Sequence, residues 1–147
     1  MRPETAVRLD RTAGRPVYAL HRAAYRLSGG LLGGSFAGRP ILLLTTTGRR
    51  SGRPRQVPMQ YMPRGDSLVV VGSNGGRPTD PAWVGNLLAH PQVEVQIRRR
   101  VQSCVARVVT GSDRGELWHE LGEFYPGYAH YATLTDRVIP VVELRPL

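Results

Sequence analysis

Six apolar, β-branched runs punctuate the chain: "ILLLTTT" (41–47), "QVPMQYM" (56–62), "SLVVVGS" (67–73), "QVEVQI" (92–97), "VQSCVARVV" (101–109) and "VIPVVEL" (138–144). Most are joined by turns too short for the crossover that parallel pairing needs, and there is no repeated strand–helix–strand alternation. "PRGD" (63–66) and the arginines at 98–100 each read as hairpin turns. Pro58 has no N–H for a second neighbour, so its strand belongs at an edge or a bulge. The pattern predicts an α+β chain: a six-stranded antiparallel sheet or small barrel, with short helices packed outside it.

The helical segments are fewer. "PVYALHRAAYRL" (16–27) starts with proline and carries Val17, Leu20, Ala24 and Leu27 on one stripe. "PAWVGNLLAH" (81–90) follows Asp80 as a potential cap. "SDRGELWHELGEFY" (112–125) has Ser112 in the same position, and "PGYAHYATLTD" continues as a second short helix or turn. The 147 residues fit one core, preceded by an N-terminal helical segment over 1–29, with the barrel domain over 30–147. The longest apolar run, Ile41 to Leu44, is far short of the roughly 20 residues of a membrane span. The N-terminus lacks the apolar centre of a signal peptide, and Cys104 stands alone, so no internal disulfide forms. These features point to the cytoplasm.

The net charge is +9, and all 20 basic residues are arginine. Each is a planar fork suited to phosphate or carboxylate and stays charged near pH 7. Four of them, Arg49, Arg50, Arg53 and Arg55, crowd the turn "TTTGRRSGRPRQVP". Its glycines let backbone N–H groups face an anion, and Thr47 and Ser51 add hydroxyls. It matches neither a Walker loop nor a dinucleotide-binding fingerprint. A solvated hairpin tip is the competing explanation. Further on, "VVVGSNGG" (69–76) ends a strand in small residues that let a flat ligand approach the backbone. "DPAW" (80–83) puts Trp83 in the first turn of a helix. "FYPGYAHY" (124–131) spaces Tyr125, Tyr128 and Tyr131 three apart, either a core stripe or the polar lining of a pocket. His21, His90, His119 and His130 lack metal-ligand spacing, so no metal is expected. Cys104 alternates within a strand, where a buried role suits it better than a nucleophilic one.

Taken in order, "LLLTTTGRRSGRPRQVP", "VVVGSNGGRPTDPAWVGNL", "HPQVEVQI", "FYPGYAHY" and "TDRVIPVVEL" resemble the deazaflavin-dependent nitroreductase family, over about residues 30–144. The resemblance implies a split β-barrel that binds coenzyme F420, whose tail carries a phosphate and glutamates. It implies that Arg49, Arg50 and Ser51 hold the phosphate region and Arg55 the tail, and that Gln56, Val57, Pro58 and Met59 run beside the coenzyme. Val71, Gly72, Ser73 and Asn74 would present backbone to the ring edge, and Ala82, Trp83 and Asn86 would border the ring or its ribityl chain. Tyr128, then Tyr125 and Tyr131, would bind substrate or donate a proton. The activity implied is hydride transfer from reduced F420 to a quinone, a nitroaromatic or another unsaturated small molecule, by a monomer or homodimer. Asn74 and Leu134 stand where relatives often carry lysine and tryptophan, which bears on the substrate more than on the coenzyme.

Other readings compete. One is an FMN- or haem-binding split barrel, or a protein that binds deazaflavin without turnover. A nucleic-acid-binding barrel would suit the charge, but no stacking aromatics alternate with the arginines on a strand face. The basic helix at 16–27 offers a surface for peripheral contact with an acidic membrane; a helix covering one end of the barrel is the plainer reading.

Overall fold

The computed structural model describes residues 35–36 and 39–147. The expected helix at 16–27, its membrane contact and the boundary between 1–29 and 30–147 lie outside the described residues.

The strands are β1 (Ser35–Phe36), β2 (Arg39–Thr47), β3 (Pro54–Gln60), β4 (Met62–Arg64), β5 (Ser67–Val71), β6 (Gln92–Ile97), β7 (Arg100–Val108) and β8 (Val141–Pro146). Every pairing is antiparallel, in the order β1-β2-β6-β7-β8-β5-β4, with β3 also on β2. Among the described residues, three α-helices are interspersed with the strands, α1 (Ala82–Ala89), α2 (Gly111–Phe124) and α3 (Gly127–Thr133), with a 3-10 turn at Asn74–Gly76.

Six strands were expected, and eight are present among the described residues. β1 is a two-residue addition, and the expected strand 56–62 is two strands. The run breaks at Tyr61, whose N–H donates to the Pro40 carbonyl. Before the break β3 pairs with β2, with Leu43 opposite Pro58; after it β4 pairs with β5, with Met62 opposite Val69. One bent run thus reaches both ends of the sheet and curls it into a split barrel. Pro58 sits where its missing N–H costs nothing, on a strand with β2 as its one described partner. The two tight hairpins fall as expected, with Gly65 and Arg98 in the left-handed conformation that such turns require.

Alternation along the strands builds two cores. Leu42, Leu44, Val70, Val93, Val95, Cys104, Val142 and Leu144 point inward. Val69 and Val141, one residue out of step, join Met62 on the outer face and pack against Leu117, Leu121 and Tyr128 of α2 and α3. The neighbouring valines of β5 and β8 are apolar on both faces because both faces are covered there, while Glu143 on the outer face of β8 pairs with Arg107 and Arg145. α2 and α3 lie outside as expected. α1 does not: its Trp83, Val84 and Leu87 complete the inner core. Neither expected cap forms. No side chain caps α1, and Asp80 pairs with Arg137 instead; α2 starts after Thr110, before Ser112, again without a side-chain cap. No helix of the described residues is long and apolar enough to cross a membrane.

Candidate active site

The arginine turn, β3, the loop after β5 and the start of α1 enclose a cleft of about 870 Å³. That volume is within the range of small-molecule sites, roughly 300–1,000 Å³.

The turn holds its shape by two short backbone bonds, Gly48 N–H to the Arg53 carbonyl and Gly52 N–H to the Gly48 carbonyl, both 2.8 Å. Gly52 is left-handed, and a Cβ on Gly48 would lie 2.6 Å from the Ser51 hydroxyl, so both glycines are required. The Ser51 oxygen accepts the Arg53 N–H at 3.2 Å.

The four arginines of the turn divide by function. Arg49 is tied to α1: its Nη1 donates to the Ala82 carbonyl (3.1 Å) and to Asn86 Oδ1 (3.2 Å), and its backbone N–H also reaches Asn86 Oδ1. The guanidinium lies against Gly85, where a Cβ would come within 2.8 Å of Nη1. Asn86 is buried and donates onward to Thr46 Oγ1 at 3.1 Å, so one amide rivets β2, the turn and α1 together. Arg50 and Arg55 line the cleft, are exposed, and have no partner among the described residues. Arg53 is also exposed and unpaired among them, but it does not line the cleft.

Ser51, Gln56, Val57, Pro58 and Met59 form the wall beyond the arginines, with Gln56 Nε2 held by Thr45 Oγ1 at 3.3 Å. Val71, Ser73 and Asn74 form the facing wall, and Ala82, Trp83 and Asn86 the floor. Asn74 is left-handed and donates from Nδ2 to the Thr79 carbonyl at 2.9 Å. The lining thus joins the cations Arg49, Arg50, Arg55 and Arg77 to the apolar side chains of Val57, Met59, Val71 and Trp83.

Of the residues expected at the coenzyme, Gly72 is the one that does not line the cleft. Its N–H donates to the Pro140 carbonyl, its own carbonyl accepts from Arg137, and a Cβ there would lie 3.0 Å from Val84. Its smallness serves packing behind the wall.

The three tyrosines are not among the lining residues either. Tyr128 is buried in the outer core, and Tyr125 and Tyr131 pack against it partly buried. Tyr125 and Tyr128 meet edge to face at 4.9 Å, and Tyr125 and Tyr131 lie 6.5 Å apart. Tyr128 is buried, and its hydroxyl accepts from Gln60 Nε2 at 3.1 Å. A hydrogen bond with Tyr125, and then burial, push the Tyr131 phenol above its usual pKa. The cluster touches the cleft indirectly, since α3 and Leu134 pack behind Gly76 in the wall. Three phenols at helical spacing build a core stripe here. Cys104 is buried, as its alternation suggested, and burial raises its thiol pKa.

Sequence reasoning missed Arg77, Thr79 and Asp80 in the lining, and Arg137 behind it. Arg77 and Asp80 lay inside a motif singled out for its glycines and tryptophan. Nothing local distinguishes Arg137 from the other arginines.

The family model described as F420H(2)-dependent quinone reductase matches residues 17–146. An F420H(2)-dependent quinone reductase of Mycobacterium tuberculosis (strain H37Rv) is 36% identical over 92% of this chain and 94% of its own. A solved structure of an F420-H2 dependent reductase aligns at 42% identity, covering 73% of this chain and 95% of its own, with TM-score 0.67. Another, described as a domain-swapped dimer, is 34% identical over 98% of this chain and all of its own, also at TM-score 0.67. With a family match over nearly its whole length and a cleft built from the motifs that carry the likeness, this chain belongs to the F420H(2)-dependent quinone reductase family.

Proposed function

We propose that the cleft binds coenzyme F420 and that the protein transfers a hydride from its reduced form to a quinone. The observation that carries this reading is the lining of one cleft, which combines the guanidinium groups of Arg50 and Arg55, without partners among the described residues, with the apolar side chains of Val57, Met59, Val71 and Trp83. A flat ring joined to an anionic tail matches that combination. FMN also joins a ring to a phosphate, but the family match makes this alternative unnecessary.

Bound F420H2 supplies the hydride, a two-electron donor that with one proton converts quinone to quinol. The protein binds, orients and excludes water. Arg50 and Arg55 take the tail by charge-assisted contacts, and Arg49, fixed by Asn86 and Ala82, offers its remaining N–H groups in a preset direction. The loop wall at Ser73 and Asn74 and the face of Trp83 confine the ring. The tyrosines support the wall from behind, so their contribution to chemistry is through placement.

Side-by-side fluorescence titrations with F420, FMN and NADPH, followed by anaerobic reduction of a soluble naphthoquinone by F420H2, test the reading. Tight binding of F420 alone, with quinone-dependent oxidation of F420H2, is expected. Preference for FMN, or binding without turnover, would refute it.

A further inference from the structure

Arg137 lies in the segment between α3 and β8, far in sequence from the cleft wall, yet its guanidinium makes four hydrogen bonds to that wall. Nε donates to the Arg77 carbonyl (2.9 Å), Nη1 to the Gly72 carbonyl (3.1 Å) and Asp80 Oδ1 (2.7 Å), and Nη2 to the Ser73 carbonyl (2.7 Å). These acceptors come from both ends of the 72–80 loop. The side chain is only 15% exposed and does not line the cleft.

The loop needs such a clip. It follows β5 and precedes α1; Gly72 N–H ties its start to the Pro140 carbonyl, but its other backbone bonds are local: Gly76 N–H to the Ser73 carbonyl and Arg77 N–H to the Asn74 carbonyl. Asn74, Gly75 and Gly76 are left-handed in succession, a conformation free to the two glycines and unfavourable at Asn74 alone. Leu134 packs on Gly76, where a Cβ would lie 2.8 Å from the leucine Cβ. The same segment thus braces the loop twice, by packing at Leu134 and by hydrogen bonds at Arg137. The loop carries Ser73, Asn74, Arg77 and Thr79 into the cleft.

We propose that Arg137 is a positioning residue for the reaction: it sets where this wall stands, and through it the seat of the coenzyme ring. The inference rests on the deazaflavin reading of the cleft. The planar fork spreads its donors over three nitrogens and serves four acceptors at once, whereas lysine carries three donors on a single nitrogen, so Arg137→Lys should fail to restore the wall.

The test begins without ligand. Hydrogen exchange at the Gly76 and Arg77 amides should quicken at least about tenfold in Arg137→Gln, with the β2 and β6 amides unchanged. The variant should bind oxidised F420 at least about tenfold more weakly. The emission maximum of the bound coenzyme should shift, and turnover at saturating coenzyme should fall. Arg137→Lys should behave likewise, and it carries the test alone should Arg137→Gln fail to fold. Unchanged exchange at Gly76 and Arg77, or unchanged emission with unchanged affinity, overturns the role while wild-type binding of F420 stands. Wild-type protein that binds no F420 refutes the functional reading, and this role with it.

Discussion

Replacing Arg50 and Arg55 together by alanine separates cations that hold a ligand from cations that hold the fold. Neither has a described partner, so their removal leaves no protein group orphaned, and stability should stay within about 0.5 kcal/mol. Toward an anion each would make a charge-assisted contact, worth about 1.5–3 kcal/mol in general. Both side chains are exposed, which puts the value near or below the lower end, so the pair should contribute about 2 kcal/mol, or about 30-fold in Kd. Arg49→Ala should differ. It removes Nη1 from the Ala82 carbonyl and Asn86 Oδ1, in a partly buried setting, and should cost about 1–3 kcal/mol of stability. In a chain of this length that lowers Tm by several degrees, at roughly 2–4 °C per kcal/mol. The assay is fluorescence titration with oxidised F420 at low and high salt, beside thermal melts of the apo proteins. The double variant should lose affinity at unchanged Tm. The wild-type advantage should shrink between about 0.1 M and 1 M salt, as the screening length falls from about 10 Å to about 3 Å. A double variant with wild-type affinity would refute the argument. So would one that loses as much Tm as Arg49→Ala.

Two further outcomes follow. Tyr128→Phe removes the hydroxyl that accepts from Gln60, and should cost about 0.5–1.5 kcal/mol in denaturant unfolding while leaving F420 affinity intact; lost turnover at full stability would instead place the phenol at the substrate. Burial raises the Tyr61 phenol pKa, opposed in part by Arg98, and the Tyr125 hydrogen bond followed by burial raises that of Tyr131. Both are neutral when protonated, so their stabilisation is complete below the unfolded value of about 10 and is lost as pH rises through the higher folded values. Tm should therefore hold from about pH 7 to 9 and decline above about 10, and a flat profile to pH 11 would contradict this.

Much of the site was legible because it is built from local motifs. The arginine turn bends at glycines, the Ser73–Gly75 stretch lines the cleft with small residues, and Trp83 and Asn86 lie one helical turn apart. Alternation and turn chemistry likewise made the antiparallel class legible without any tertiary information. What pattern could not reveal was which of two faces each apolar residue serves. The valines of β5 and β8 look the same in sequence, but a period of two sends neighbours to different cores, and only the positions of the helices decide that both faces are dry. The break at Tyr61 was equally hidden, since a strand that changes partners reads as one run.

The sequence by itself determined the antiparallel class and the cationic turn, because periodicity, glycine placement and charge are local properties. Only the tertiary structure decided the use of each cation. Arg49 became a rivet, Arg50 and Arg55 stayed open, and Arg137 became a clip some sixty residues distant from the loop it holds. An arginine's role is fixed by which acceptors come within about 3 Å of its fork, and that proximity exists only once the chain has folded.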